Sequence, residues 1–362
     1  MQMEQFWVAF THVHGVGPAR LRHLLAYFGN LKEAWWAEAV DLAESGLPQA
    51  AIEHLITLRK SLQPEKLLDE IHRLGAQVVT LADENYPPLL RETEGSPAVL
   101  YVKGTLTAQD QRAVAVVGTR KASNYGAEMT RRLVVALTQA GVTIVSGLAY
   151  GIDVIAHQEA LNAGGRTIAV LGCGIDILYP SNHRHVAEKI IKNGALITEF
   201  APGTEPLPVN FPIRNRIISG MTLGTLVVEA PEKSGALQTA NFAGEQGRDV
   251  FAVPGNVTSP NSTGTNMLIQ DGAKLVISAE DILKELNLSQ RSAETRQAVK
   301  KLMPANPVEA RIMELLQTEA LHVDEISREC QLSIQETNAI LALMELKGLV
   351  FQSAPMTYNI NT

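Results

Sequence analysis

A parallel, doubly wound α/β sheet, preceded by a helical segment and followed by a smaller unit of helices and a β-hairpin, is the fold this sequence predicts. Two patterns lead to it. Short apolar runs at 114–117, 143–145, 167–171, 196–198, 225–228, 250–253 and 275–276 are mostly separated by helix-length segments, as expected for strands joined by crossover helices. Their unbroken apolar character implies burial on both faces.

The elements follow in order. Residues 1–62 are helical in pattern, and HVHGVGPARL, starting at His12, places Gly15 and Gly17 in a tight turn before Pro18. Pro18 suits the first position of a helix whose Leu21, Leu24, Leu25 and Phe28 fall at helical spacing before Gly29 ends it. The turn and its helix resemble the helix-hairpin-helix (SAM-like) family, in which amides at the turn meet DNA phosphate without reading bases. A small packing domain with no DNA contact accounts for the same residues. From 63 to 288 comes the sheet segment, opened by a helix and then AQVVTL, NYPPLL and SPAVLYVKG. Residues 289–306 are polar and mixed in charge and, with Pro304 and the following Pro307, close on two prolines, which is the composition of a linker. In 307–362, helices at about 309–317, 322–329 and 333–347 and a terminal hairpin describe a winged helix. Its third helix carries Glu336 and Glu345, which is poor equipment for a DNA groove, so protein docking competes with DNA binding there.

Composition narrows the function. The 362 residues are 46% hydrophobic and 19% charged, so globular domains are expected, and no uncharged run has the length of a bilayer span. A membrane role is therefore not expected. The start, MQMEQFWVAF, lacks the basic and small-residue features of a secretory signal. The two cysteines, Cys173 and Cys330, are far apart in the sequence, and a reducing cytoplasm fits that usage. No metal, redox function or cofactor is assigned. The net charge of −7 excludes indiscriminate coating of DNA by a uniformly positive surface, so any nucleic-acid site must be local.

Two glycine turns mark the place for one. Gly118, Thr119, Arg120 and Lys121 follow the run AVAVV, while Ser146, Gly147, Leu148 and Ala149 end the next run and lead to Gly151 and Asp153. In a doubly wound sheet, ligands collect outside the carboxyl ends of the strands, where glycine turns let backbone amides approach closely. Arg120 suits a phosphate, which a guanidinium holds bidentately. Neither turn has the GxGxxG dinucleotide fingerprint or the GxxxxGK[ST] loop. Asp153 has a plain role at a helix N-terminus, and His157 reads as a hydrogen-bonded helix residue, since no nucleophile stands beside it.

The phrases AVVGTRKASNYG, VSGLAYGIDVIAH, TIAVLGCGIDILYPSNH, FPIRNRIISG, LVVEAPEKSGALQTANFAGEQGRDVFAVPGN and STGTNMLIQDGA, in this order, resemble the DprA/Smf family of DNA-processing proteins from 114 to 273. With the segments on either side, the resemblance covers the whole chain. It implies a Rossmann-like domain that binds single-stranded DNA, forms a homodimer, loads the RecA recombinase in natural transformation, and is not an enzyme. It also implies a pocket lined by Gly118, Thr119 and Arg120, by Ser146, Gly147, Leu148 and Gly151, and by Arg214, Asn215 and Arg216 of FPIRNR, with Phe211 as a base-stacking ring. One departure stands out: family members often carry a basic residue just before FPxRNR, whereas this chain has Pro208, Val209 and Asn210. Lys121 or the helix-hairpin-helix segment is the available compensation. A dimer contact is placed at Met267, Leu268 and Ile269, although that apolar run reads equally as core.

An enzymatic alternative exists. TLGTLVVEAPEKSGALQTA loosely resembles the turn of the Rossmann-like nucleoside-monophosphate phosphoribohydrolases, which would make Glu229 and Arg216 the catalytic pair. The fuller PGGxGT run of those enzymes is missing.

Overall fold

In the computed structural model of the chain, the described residues are 4–288, 307–316, 320–346 and 349–360. They divide into two compact units, Met1–Asn287 and Leu288–Thr362. The predicted linker, 289–306, lies outside the described residues.

The first unit is built on a nine-stranded sheet ordered β1-β2-β6-β5-β4-β3-β7-β8-β9. Its strands are β1 (Gln77–Thr80), β2 (Val99–Gly104), β3 (Ala113–Val117), β4 (Thr143–Ser146), β5 (Thr167–Val170), β6 (Gly194–Thr198), β7 (Gly224–Val227), β8 (Asp249–Ala252) and β9 (Lys274–Leu275). From β6 to β9 every pairing is parallel. At the other edge β1 pairs β2 and β2 pairs β6 in antiparallel register. The continuous apolar runs have the reason predicted for them: every residue of β3, β4, β5, β6 and β7 is buried, as helices on both faces require.

The order reverses at β3, whose neighbours are β4 on one side and β7 on the other. A crevice opens at such a switch point, outside the carboxyl ends of the strands. The helices Ile152–Asn162, Asn210–Gly220 and Gly235–Glu245 start around it.

The N-terminal helices share a core with the sheet and are not a separate compact body. Phe6, Phe10, Trp35 and Leu55 belong to the same buried cluster as Val78, Tyr101, Ala169 and Leu196. Phe10 meets the edge of Trp35 at 5.3 Å between ring centroids, a favoured aromatic geometry. The predicted hairpin turn is present: Gly15 has φ of 81°, and Pro18 opens the helix Pro18–Phe28. Arg20 donates to the Gly15 carbonyl, so this arginine braces the turn.

The second unit has helices Pro307–Leu316, Val323–Cys330 and Ile334–Leu346 and a sheet ordered β10-β12-β11 from Leu321–His322, Thr357–Ile360 and Val350–Ala354. That is a winged helix, with the short strand β10 added to the predicted hairpin. Ile312, Ile326, Leu341 and Met344 fill its core. No described helix of either unit is long and apolar enough to cross a membrane.

Candidate nucleic-acid interface

Gly118 follows the last residue of β3, and there the chain turns against the start of the helix Ile152–Asn162. A Cβ on Gly118 would lie 2.5 Å from the Ile152 side chain and 2.9 Å from the Glu229 carbonyl, so only glycine lets the helix come this close. The Thr119 amide donates to the Glu229 carbonyl at 2.7 Å, and the Ile152 amide donates to the Thr119 carbonyl at 3.2 Å. The two predicted turns are thus in direct contact. Thr119 is buried, and its hydroxyl accepts from the Lys121 amide. Arg120 and Lys121 are left exposed.

The second turn is tied from inside. Ser146 is buried and its hydroxyl donates to the Val116 carbonyl. The Gly147 amide donates to the Asp153 carboxylate at 3.1 Å, and the Gly147 carbonyl accepts from Arg214 at 2.9 Å. A Cβ on Gly147 would sit 2.6 Å from the Arg214 guanidinium. Leu148 is fully buried with φ of 56°, a left-handed conformation uncommon outside glycine.

This corrects the sequence reading in a definite way. The Thr119 and Gly147 amides, expected to face a phosphate, bind the Glu229 carbonyl and the Asp153 carboxylate instead. Ser146 and Leu148 are interior residues that shape the turn. Arg214 is only 4% exposed; it donates to the carbonyls of Gly147 and Val170 and fixes the second turn to β5.

Burial pulls the Arg214 pKa down to about 10, with Asp153 opposing the fall and Arg120 adding to it. Arg214 therefore remains a cation at neutral pH. Burial raises the Asp153 pKa, opposed by Arg214 and by the amides of Gly147 and Ala149. His157 is fully buried beside them, within 2.7 Å of the Thr167 hydroxyl, and burial takes its pKa down to about 3. It is a neutral core histidine. Cys173 is a buried thiol whose pKa is pushed up to about 11 by burial, the opposite of what a nucleophile needs.

In front of this layer lies a recess of about 550 Å³, lined by Gly118, Thr119, Arg120, Lys121, Phe211 and Asn215 among others. The Arg120 guanidinium lies 5.5 Å from the Phe211 ring centroid, and Arg214 lies 5.9 Å from the same ring, a cation–π arrangement. Asn215 is half-buried and donates to the Gly235 carbonyl. Pro208 forms part of the lining where a basic residue was expected. An exposed cation that the sequence reading missed, Lys233, stands in the lining. A lysine just before the Ser-Gly that opens the helix Gly235–Glu245 was the available signal.

Arg216 is not in the recess. It pairs with Glu199 and lines a separate cleft with Glu92, Glu94 and Arg248. The reason is helical phase: Arg214 and Arg216 both lie on Asn210–Gly220, and two residues along a helix differ by about 200° in direction. The residues of the enzymatic pair are engaged by different partners. Glu229 accepts from the Ser123 amide at 2.9 Å and the Ser123 hydroxyl at 2.6 Å, whereas Arg216 is committed to Glu199. Met267, proposed for a dimer contact, is 43% exposed; Leu268 and Ile269 are half-buried.

Fold and site define a Rossmann-like α/β protein with a local cationic recess at its switch point and a winged helix in a second unit. Comparison with known proteins makes this specific. The chain belongs to the family described as DNA recombination-mediator protein A, whose sequence profile matches residues 77–287, and the profile of the DprA winged helix domain matches 296–354. Protein Smf of Synechocystis is 35% identical over 98% of both chains. The DNA processing protein DprA of Streptococcus pneumoniae is 44% identical over 57% of this chain and 73% of its own. The X-ray structure of that pneumococcal protein superposes with a TM-score of 0.70 at 36% identity, covering 78% of this chain and 97% of the other. A Helicobacter pylori structure, described for the single-stranded DNA binding mode of its DNA processing protein A, matches with a TM-score of 0.53 at 29% identity over 58% and 95%.

Proposed function

We propose that this protein binds single-stranded DNA in the recess at Gly118–Lys121 and Phe211 and, as a homodimer, promotes loading of the RecA recombinase onto it during natural transformation. The observation that carries the reading is the pairing of exposed Arg120 with the half-buried Phe211 ring, 5.5 Å apart. A guanidinium holds a phosphate and a ring stacks on any base, so together they fit one nucleotide of any sequence. Lys121 and Lys233 extend the positive rim in a chain that is acidic as a whole. The Helicobacter protein's single-stranded DNA binding supports the same substrate class.

Fluorescence anisotropy with single- and double-stranded oligonucleotides across salt tests the first step. Preference for the single strand, with a salt slope that flattens in Arg120→Ala, is expected. Equal binding of duplex and single strand would overturn it.

The dimer surface in this reading is the sheet edge at β9, which among the described residues pairs with β8 alone. Met267, Leu275 and Ile277, on or near that strand in sequence, are exposed large apolar residues, of the kind an association surface uses. Sedimentation of Ile277→Arg would give a monomer; an unchanged mass would place the contact elsewhere. Recombinase loading is tested by the rate of RecA filament assembly on strands already covered by single-strand binding protein.

A further inference from the structure

Phe211 does not stand alone. Its ring lies 5.6 Å from that of Tyr179, tilted by 40°, and Tyr179 is 44% exposed. Beyond the pair lies a smaller recess of about 20 Å³, lined by Arg120, Gly147, Ala149, Tyr150, Tyr179 and Phe211 among others. Arg120, Phe211 and Tyr179 line the large recess as well, so the aromatic pair is a wall shared by both, with the Arg120 guanidinium 5.5 Å from the Phe211 ring centroid. Tyr150 is 45% exposed. Its ring meets that of His183 at 4.9 Å in an edge-to-face contact. His183 is itself buried and lies 2.8 Å from the Leu148 carbonyl through Nδ1. Since a carbonyl only accepts, Nδ1 carries the proton and the imidazole is fixed in place. Tyr150 is therefore a braced ring and not a loosely exposed side chain.

Resting on the single-strand reading above, we propose that Tyr179 and Tyr150 form a second stacking station, so that consecutive bases are held on the two sides of the Phe211–Tyr179 wall with the intervening phosphate at Arg120. The small recess is far too shallow to enclose a base, which makes the tyrosine faces a shelf on which a base lies. Stacking on a tyrosine is open to every base, because each has a π-face. It is closed to a duplex, whose base faces already stack on one another. The station thus adds discrimination between single and double strands without adding sequence preference.

The experiment compares wild type, Tyr150→Ala, Tyr179→Ala, Tyr150→Phe, Tyr179→Phe and Arg120→Ala in the full chain. Each is titrated by anisotropy with oligothymidylate and with a strand of equal length made of abasic residues. Loss of a stacking partner is expected to weaken oligothymidylate binding by at least about fivefold in each alanine variant, with affinity retained in the phenylalanine variants. On the abasic strand the tyrosine variants should match wild type, since no base remains to stack. Unchanged oligothymidylate affinity in both alanine variants would overturn the station, and so would an equal loss on the abasic strand, which would signify a structural role. If Arg120→Ala weakens binding while the tyrosine variants do not, only this inference falls. If wild type binds neither strand, the underlying reading falls with it.

Discussion

The recess has two layers that use similar side chains for opposite purposes. In front stand Arg120 and Lys121, exposed on the turn after β3, and half-buried Phe211 on the helix Asn210–Gly220. Behind them Arg214, Asp153 and His157 are buried, and Arg214 donates through Nη1 to the Gly147 and Val170 carbonyls. An arginine in the front layer is open to solvent and available to a ligand, whereas one in the back layer fixes where the turns lie. Residue type therefore says little about role until burial is known.

The sharpest way to break this contrast is to remove the back-layer cation. Arg214→Ala leaves the Gly147 and Val170 carbonyls without this buried donor, and at about 1–3 kcal/mol per buried group the expected loss of unfolding free energy is about 2–6 kcal/mol, read by urea denaturation. A loss below about 1 kcal/mol would move Arg214 to the front layer.

Arg120→Ala is the converse case. It should cost about 1–3 kcal/mol of single-strand affinity and reduce the salt slope by about one, with the denaturation midpoint unchanged. Loss of stability together with affinity would merge the two layers.

A third test uses pH. The His157 pKa is lowered from 6.5 to about 3 on folding, so between these values the unfolded chain binds a proton that the folded chain refuses. Stability should therefore fall as pH drops through that window, by about 1.4 kcal/mol per pH unit from this group. His157→Asn removes the contribution, and its stability-versus-pH curve from pH 6 to 4 should be flatter than that of wild type by about that slope. Parallel curves would show that the imidazole becomes protonated in the folded state.

The smallest effect belongs to Arg216→Ala. With its side chain paired to Glu199 and lining the separate cleft, single-strand affinity in the recess should change by less than about twofold, as for a site with no shared partner. A loss matching that of Arg120→Ala would show that the cleft, too, meets the strand.

The sheet was legible because buried parallel strands leave continuous apolar runs, and each run found at 114–117, 143–145, 167–171 and 225–228 lies on a strand of the sheet or at its end. The antiparallel edge was less so: AQVVTL and SPAVLYVKG show that strands exist there but carry no sign of their direction. In the site, the two turns were legible as glycine-marked breaks after apolar runs. The direction of their amides was not, since only the fold brings Glu229 and Asp153 to them. FPIRNR shows why its two arginines were taken together: sequence supplies the spacing, and only the knowledge that Asn210–Gly220 is helical sends Arg216 away from Arg214. Lys233 and Tyr179 escaped notice because they come from segments distant in sequence from either turn.

The guanidinium lying where a Gly147 side chain would begin bears on speed. A turn locked to the core before any ligand arrives has little ordering left to do, so the entropy cost of binding is small. Encounter and electrostatic steering, not rearrangement, then set the association rate. Stopped-flow traces should show one phase whose rate rises linearly with DNA concentration, and the affinities of different strands should be told apart by how fast they leave.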